Sequence, residues 1–413
     1  MSRIIRLFNP DLPPKVWLLQ LGVFINFLGN GLVGPFLVIY LHYTRGLPLG
    51  IAGSAVALGG VTAVASGLIA GSLADRLGPR NILVLAMLSN AVAYLLYTQV
   101  TASWQAFAVG LLVGVGTGSY GPSSQSLIAT LVAADKRPAA FAQNRVTSVV
   151  GLGTGGTIGG FIAAAGLAGY LKLLVLDSAT FVTFALFMLL IPSGRIAKQS
   201  VVKGGYLAVV KDRAFIWLVA VSAMMVAAGI APMFVLLPAF AKGQARIGEA
   251  AIGLIYAVNT LTVVIAQLPL TKLTSPLSRT RVLRSACLIW IVSWLVCFGA
   301  GASLRGGAAA VALAAAAMTY AVGECLYSAT MTPTAVALAP PDLRGRYLGA
   351  MGLAWQSGFL VGPSAGAAIL GAAPLALPIA CAAGCLAAAL GTLGVERNLP
   401  SGVRLSAPVP ART

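Results

Sequence analysis

The chain is a series of apolar runs, each twenty or more residues long and separated by short polar turns. At ~1.5 Å per residue, a helix of that length crosses a bilayer core of ~30 Å. Twelve such spans are read, at 15–41, 49–72, 81–100, 104–132, 138–167, 171–192, 214–240, 247–271, 280–302, 306–338, 344–371 and 374–395. Only 9% of the residues are charged and 59% are hydrophobic, whereas a soluble chain carries about a quarter charged. The runs are continuous, not ten-residue alternations, which excludes a membrane β-barrel. The expected fold is an all-α membrane protein of twelve helices in two six-helix bundles, 1–192 and 214–395. A cytoplasmic linker at 193–213 joins them. It carries a short amphipathic helix, with Val201, Val202, Leu207, Val209 and Val210 among lysines. Residues 396–413 form a tail. The first ten or so residues read as an interfacial segment stopped by Pro10, Pro13 and Pro14. The run after them is too long for a cleaved signal and is read as a retained helix.

The net charge of +18 would suggest nucleic acid in a soluble protein. Its distribution argues against that. Of 27 lysines and arginines, only Arg45, Lys172, Lys242, Arg246 and Arg305 fall on the side opposite the N-terminus. Such a bias sets topology and puts both termini in the cytoplasm. The five cysteines all lie inside spans of the second half, and the only histidine, His42, is in a loop, so no metal or other cofactor is called for.

The halves repeat. At a constant offset of 207, Gly116 pairs with Gly323, Tyr120 with Tyr327, Leu131 with Leu338, Asp135 with Asp342 and Arg137 with Arg344. Gly151, Gly155 and Gly159 pair with Gly358, Gly362 and Gly366 at the same offset. Matching Tyr, Asp and Arg in one register points to duplicated modules, with a site expected between them near the midplane.

Between the second and third spans stands Gly71-Ser72-Leu73-Ala74-Asp75-Arg76-Leu77-Gly78-Pro79-Arg80, read as a tight turn at the water boundary. It resembles the G-x-L-a-D-r-x-G-r-r signature after the second helix of major facilitator superfamily transporters. The resemblance implies an inner latch built from Gly71, Asp75, Arg76, Gly78 and Arg80, with Asp135 as a charge partner. The matching loop of the second half, Pro269 to Arg284, lacks the acid.

Residues 151–160 contain G-x-G-x-x-G, with Asp177 farther on, as in a dinucleotide-binding turn. No strand precedes it, and the glycines sit in a bilayer-length apolar run. In that setting, glycines four apart let a neighbouring helix approach closely. Gly151, Gly155, Gly159 and Gly160 also resemble the g-x-x-x-G-P-x-x-G-G motif of the superfamily's exporters, with Gly156 in place of its proline. The repeat copy, Gly358, Gly362, Pro363 and Gly366, keeps the proline.

Glu324 lies near the middle of the tenth span. A charge there costs at least ~2.5–3.5 kcal/mol and usually faces a cavity or a partner. It reads as a proton-coupling acid, with a structural ion pair to Arg145 or a permanently protonated acid as alternatives. Gly323-Glu324, Pro333 and Arg344-Gly-Arg346-Tyr347 resemble one branch of the drug:proton antiporters. That branch carries an arginine in its fourth helix; here Gly110 stands in its place, and Arg145 is the substitute considered. Asp177 reads as a solvated acid at the start of the sixth span. Asn26 and Asn30 share a helix face and serve either interhelical bonding or the cavity. Tyr120, Tyr327, Trp355 and Met224 are further cavity candidates, Met224 reading first as packing.

The resemblance implies a transporter, not an enzyme: proton-coupled efflux of small amphipathic or drug-like molecules by alternating access, from a bacterial inner membrane, as a monomer. Its partners are the substrate, protons and lipid, and no nucleic acid. The alternatives are proton-coupled import of a neutral sugar or peptide, and a non-transporting membrane protein, though no catalytic constellation is present.

Overall fold

The computed structural model describes residues 13–133, 136–191, 206–340 and 343–403. Every long element among them is a helix, and no β-strand is present there. The first six are α1 (Pro14–Thr44), α2 (Leu49–Leu77), α3 (Pro79–Tyr97), α4 (Ser103–Leu131), α5 (Arg137–Ala163) and α6 (Leu167–Leu189). A short helix, Tyr206–Lys211, lies in the region read as the amphipathic linker helix. Then come α7 (Arg213–Val235, continued by Leu237–Gly243), α8 (Glu249–Thr274), α9 (Arg279–Ser303), α10 (Gly306–Leu338), α11 (Arg344–Ala372) and α12 (Ala376–Asn398). Ten of these are long and apolar enough to cross a membrane. The other two, α4 and α11, have the length, 29 residues each, but spread glycine and serine through it.

Local chemistry explains several ends. Proline opens α1 and α3, where its missing N–H is no loss. The Gln105 side chain accepts from the Thr101 and Ala102 N–H groups at 2.7 and 3.0 Å and caps α4. Asp212 caps α7 by accepting from the Phe215 N–H at 3.1 Å. The interiors of α1 and α7 are irregular. A 3-10 turn at Gly34–Phe36 and a π turn at Tyr40–Thr44 interrupt α1, and a π turn at Val226–Ile230 interrupts α7.

The chain forms two units, Met1–Ser200 and Val201–Thr413. In the first, α1 packs on α5 and α6, α2 on α4, and α3 on α4 and α6. In the second, α7 packs on α11 and α12, α8 on α10, and α9 on α10 and α12. Adding six to each number of the first set gives the second, so the repeat extends to internal topology. Many large apolar side chains, including Leu68, Ile69, Leu85, Ile265 and Leu390, remain exposed on these helices. So much exposed apolar surface suits lipid and not water.

Most boundaries fall within three residues of the sequence reading, and two helix junctions differ by more. The second helix runs on to Leu77, so the turn shrinks to Gly78, whose φ of +86° requires glycine. The fifth helix stops at Ala163, and Gly166, with φ of +67°, starts α6 at Leu167. The segment 164–167 is apolar throughout, so hydropathy alone could not locate that end. The expected interfacial segment at the N-terminus lies outside the described residues.

Candidate functional site

Within the second unit, Glu324 stands fourteen residues from the end of α10, half-buried. Helical spacing puts Tyr320 one turn before it and Tyr327 one turn after. Trp290 of α9 stacks on Tyr320 at 5.5 Å and donates its Nε1–H to the Tyr320 carbonyl at 3.0 Å. That approach needs Gly323, where a Cβ would lie 2.5 Å from Trp290 Nε1. The Tyr327 hydroxyl and Ser222 of α7 share a hydrogen bond at 3.1 Å. The Tyr327 ring lies 6.4 Å from Trp355 of α11, and Trp355 lies 5.4 Å from Phe359. Four helices thus set one carboxyl beside a wall of aromatic rings. Trp290, Tyr320 and Tyr327 are buried, whereas Trp355 and Phe359 are half-buried and can offer flat apolar area and quadrupoles that attract cations, while the acid supplies a full charge.

Of the sequence candidates, Glu324, Tyr327 and Trp355 come together here. Met224 is exposed on α7. Trp290, Tyr320 and Phe359 were missed. Tyr320 was readable from its i−4 spacing to Glu324, but Trp290 arrives from another helix and left no local signal.

In the first unit, Asn26 is buried, and Asn30 donates its Nδ2–H to the Asn26 carbonyl at 2.8 Å, within α1. Tyr120 lies 5.8 Å from Phe27 and 6.3 Å from Phe184, ring to ring. Arg145 is exposed on α5. Asp177 contradicts the sequence reading. Because α6 starts at Leu167, it is the eleventh residue of the helix and is 0% exposed, not a solvated terminal acid.

The latch residues Gly71, Asp75 and Arg76 lie in the last turns of α2 rather than in a turn. Arg76 is exposed, and Asp135 lies outside the described residues. Arg80 donates its Nη1–H to the Ile191 carbonyl at 2.8 Å, which ties the start of α3 to the end of α6.

The glycine motif lies along α1. A Cβ at Gly151 would come 2.7 Å from the Phe24 carbonyl oxygen, one at Gly155 would collide with that of Leu28, and one at Gly159 would be 2.5 Å from that of Leu32. Gly160 is buried beside them. In the second unit, Gly358 faces Val226, Gly362 the Ala227 carbonyl and Gly366 the Leu236 side chain, all on α7 or its continuation, with Pro363 buried. The missing helix 4 arginine has a similar cause. A Cβ on Gly110 would meet the Ala55 carbonyl of α2, so no side chain fits there. Gly110→Arg is therefore expected to abolish recovery of monodisperse protein in size-exclusion chromatography, not to restore a proton relay.

The family model described as Major Facilitator Superfamily matches residues 19–363. The chain is 21% identical over 362 residues to the uncharacterized MFS-type transporter YqjV of Bacillus subtilis, covering 86% of both chains. It is 26% identical over 164 residues to the multidrug resistance protein MdtG of Dickeya zeae, covering 39% of this chain and 40% of that one. Among solved structures, a D-xylose-proton symporter superposes with a TM-score of 0.75 at 14% identity, over 93% of this chain and 97% of the other.

Proposed function

The chain belongs to the Major Facilitator Superfamily, and from that premise we propose that it exports small amphipathic or drug-like molecules in exchange for protons. The observation that carries this reading is Glu324, half-buried in mid-helix one turn from both Tyr320 and Tyr327, whose rings meet Trp290 and Trp355. A proton on Glu324 would release a bound cationic substrate, and loss of that proton would restore the charge that binds the next. The half-buried rings of Trp355 and Phe359 supply apolar area, and the polar groups of Tyr327 and Trp290 are taken up by Ser222 and the Tyr320 carbonyl, which suits varied amphipathic substrates. The named likeness to MdtG points the same way.

The cycle would be alternating access. Asp75, Arg76 and Asp135 would form an inner latch, and Arg145 would act as the basic counterpart of Glu324. We place the protein in a bacterial inner membrane with both termini cytoplasmic, working as a monomer. The positive-charge bias of its loops supports that orientation. Import of a neutral sugar with a proton is the second reading, favoured by the fold likeness to a proton symporter.

The test is proton flux in proteoliposomes with a pH-sensitive dye inside and an imposed proton gradient. Lipophilic cations are expected to dissipate the gradient and D-xylose to leave it unchanged. The opposite pattern would establish the import reading instead.

A further inference from the structure

The second carboxyl at membrane depth, Asp177, has no role in the reading above. Its Oδ1 accepts from the Thr180 hydroxyl at 3.1 Å, but Oδ2 is buried without a hydrogen-bond partner. Asn26, on α1, is 3% exposed, and its Oδ1 also has none. The two side chains belong to facing helices. A Cβ on Gly22 would strike Phe184, and one on Gly29 would strike Asp177 Oδ1 and Thr180 Oγ1. Asn26 lies between Gly22 and Gly29 on that same face of α1. Two buried acceptor oxygens without partners therefore belong to facing helices, and each unmet acceptor carries a desolvation cost that a proton on the carboxyl would relieve.

Among the described residues, the groups facing Asp177 supply no positive charge. α1 presents Asn26 and Gly29, and α6 itself presents Thr180. The titratable neighbour is Tyr94 of α3, whose ring lies 5.2 Å from Phe181 and which stands within electrostatic reach of the carboxyl. α3 is held there by the Ser178 hydroxyl donating to the Ala91 carbonyl at 2.9 Å. α5 meets α6 near its start, where Gly169 packs on Ile162, two turns from Asp177.

The internal repeat acts as a control for what packing alone requires. Gly391 and Gly384 of α12 face Val221 and Ala228 of α7, as Phe184 and Asp177 of α6 face Gly22 and Gly29 of α1. In that register Gly384 stands where Asp177 does, and the buried Met225 stands where Asn26 does. The same helix pair is thus built in the second unit with no polar side chain at either place. The acid and the amide are additions to the fold, not requirements of it.

Buried polar groups also stand at depths between that of Asp177 and one end of the bundle. Measured along the helices at ~1.5 Å per residue, Asp177, Asn26 and Tyr120 lie ~16–18 Å from that end, and Gln20, Ser124 and Gln143 lie ~9–11 Å from it. The Oε1 atoms of Gln20 and Gln143 are buried without partners, and Gln20 Nε2–H donates to the Ala140 carbonyl of α5 at 3.5 Å.

We propose that Asp177 is a proton-binding site enclosed in the first bundle, its carboxyl O–H donated toward Asn26, with protons exchanged with water at the end where α1 begins. A hydronium ion at that end gives up a proton and becomes water; the carboxylate gains it and becomes a neutral carboxyl. Loss of the proton reverses the step, and no other reactant is needed. This site is separate from Glu324 and does not depend on the export reading.

The test is infrared spectroscopy of the whole protein in lipid nanodiscs, with aspartate labelled by 13C at its carboxyl carbon. At neutral pH the wild type is expected to show a protonated-carboxyl C=O band that shifts with the label and moves in D2O. The band should disappear reversibly as the pH is raised, be absent in Asp177→Asn, and persist in Glu324→Gln. Should Asp177→Asn not fold, Asp177→Gly, which copies the residue that the repeat holds at this place, supplies the same subtraction. Absence of the band, or a band unchanged by D2O and by every pH at which the protein stays folded, would overturn the proposal.

Discussion

Glu324→Gln is expected to reduce substrate-driven proton flux in proteoliposomes to the background of protein-free vesicles, while the protein folds and inserts normally. Glutamine keeps the size of the side chain and its hydrogen-bonding capacity but cannot carry a proton on and off. The stability of the variant separates two roles for this acid. If Glu324 is a proton carrier, the substitution removes the cost of holding a carboxylate at mid-span, ~2.5–3.5 kcal/mol by insertion scales, and thermal stability in detergent holds or rises. If Glu324 is half of a structural ion pair, removing it leaves a buried charge behind, and stability falls by about 3–5 kcal/mol. Flux lost with the melting temperature held is the expected pair of results. Normal flux in the variant would remove Glu324 from the mechanism altogether.

The second large effect is expected at Gly155. A leucine there would drive its side chain into the Leu28 carbonyl of α1, a backbone atom that cannot rotate away. Overpacking usually costs ~1–3 kcal/mol, and the rigidity of this contact puts Gly155→Leu at or above the top of that range. Little monodisperse protein should survive extraction, as judged by fluorescence-detected size-exclusion chromatography. Gly362→Leu, against the Ala227 carbonyl of α7, should behave alike because the repeat gives it the same task. Gly71→Ala is the contrast. Its Cβ would meet nothing within 4 Å, and alanine favours a helix over glycine by about 1 kcal/mol. It should therefore fold at least as well as the wild type, and any loss of flux in it would belong to the latch and not to packing.

Much of the architecture was legible because a membrane leaves a chain few choices. Apolar runs of bilayer length must be helices, since lipid offers no partner for an open backbone. The duplication was legible because each half must bury the same helix faces, and the residues that do so, such as Gly155 and Gly362, recur in one register. Glu324 stood out because a charge in the middle of an apolar run is costly whatever surrounds it.

What escaped the sequence was whatever depends on which helices meet and on where an apolar helix stops. Polarity does not change across Ala163-Ala164-Ala165-Gly166-Leu167, so only the left-handed backbone of Gly166 decides that α6 starts early and carries Asp177 into the interior. Gly110 looked like a lost arginine until α2 was found against it, and Trp290 came to Tyr320 from another span. The sequence by itself determined the helical membrane class, the span count, the repeat and the one mid-span acid of the second half, because each follows from local hydropathy and register. Tertiary structure alone decided which polar groups are sealed in, because burial is a property of neighbouring helices and not of the helix that carries the residue.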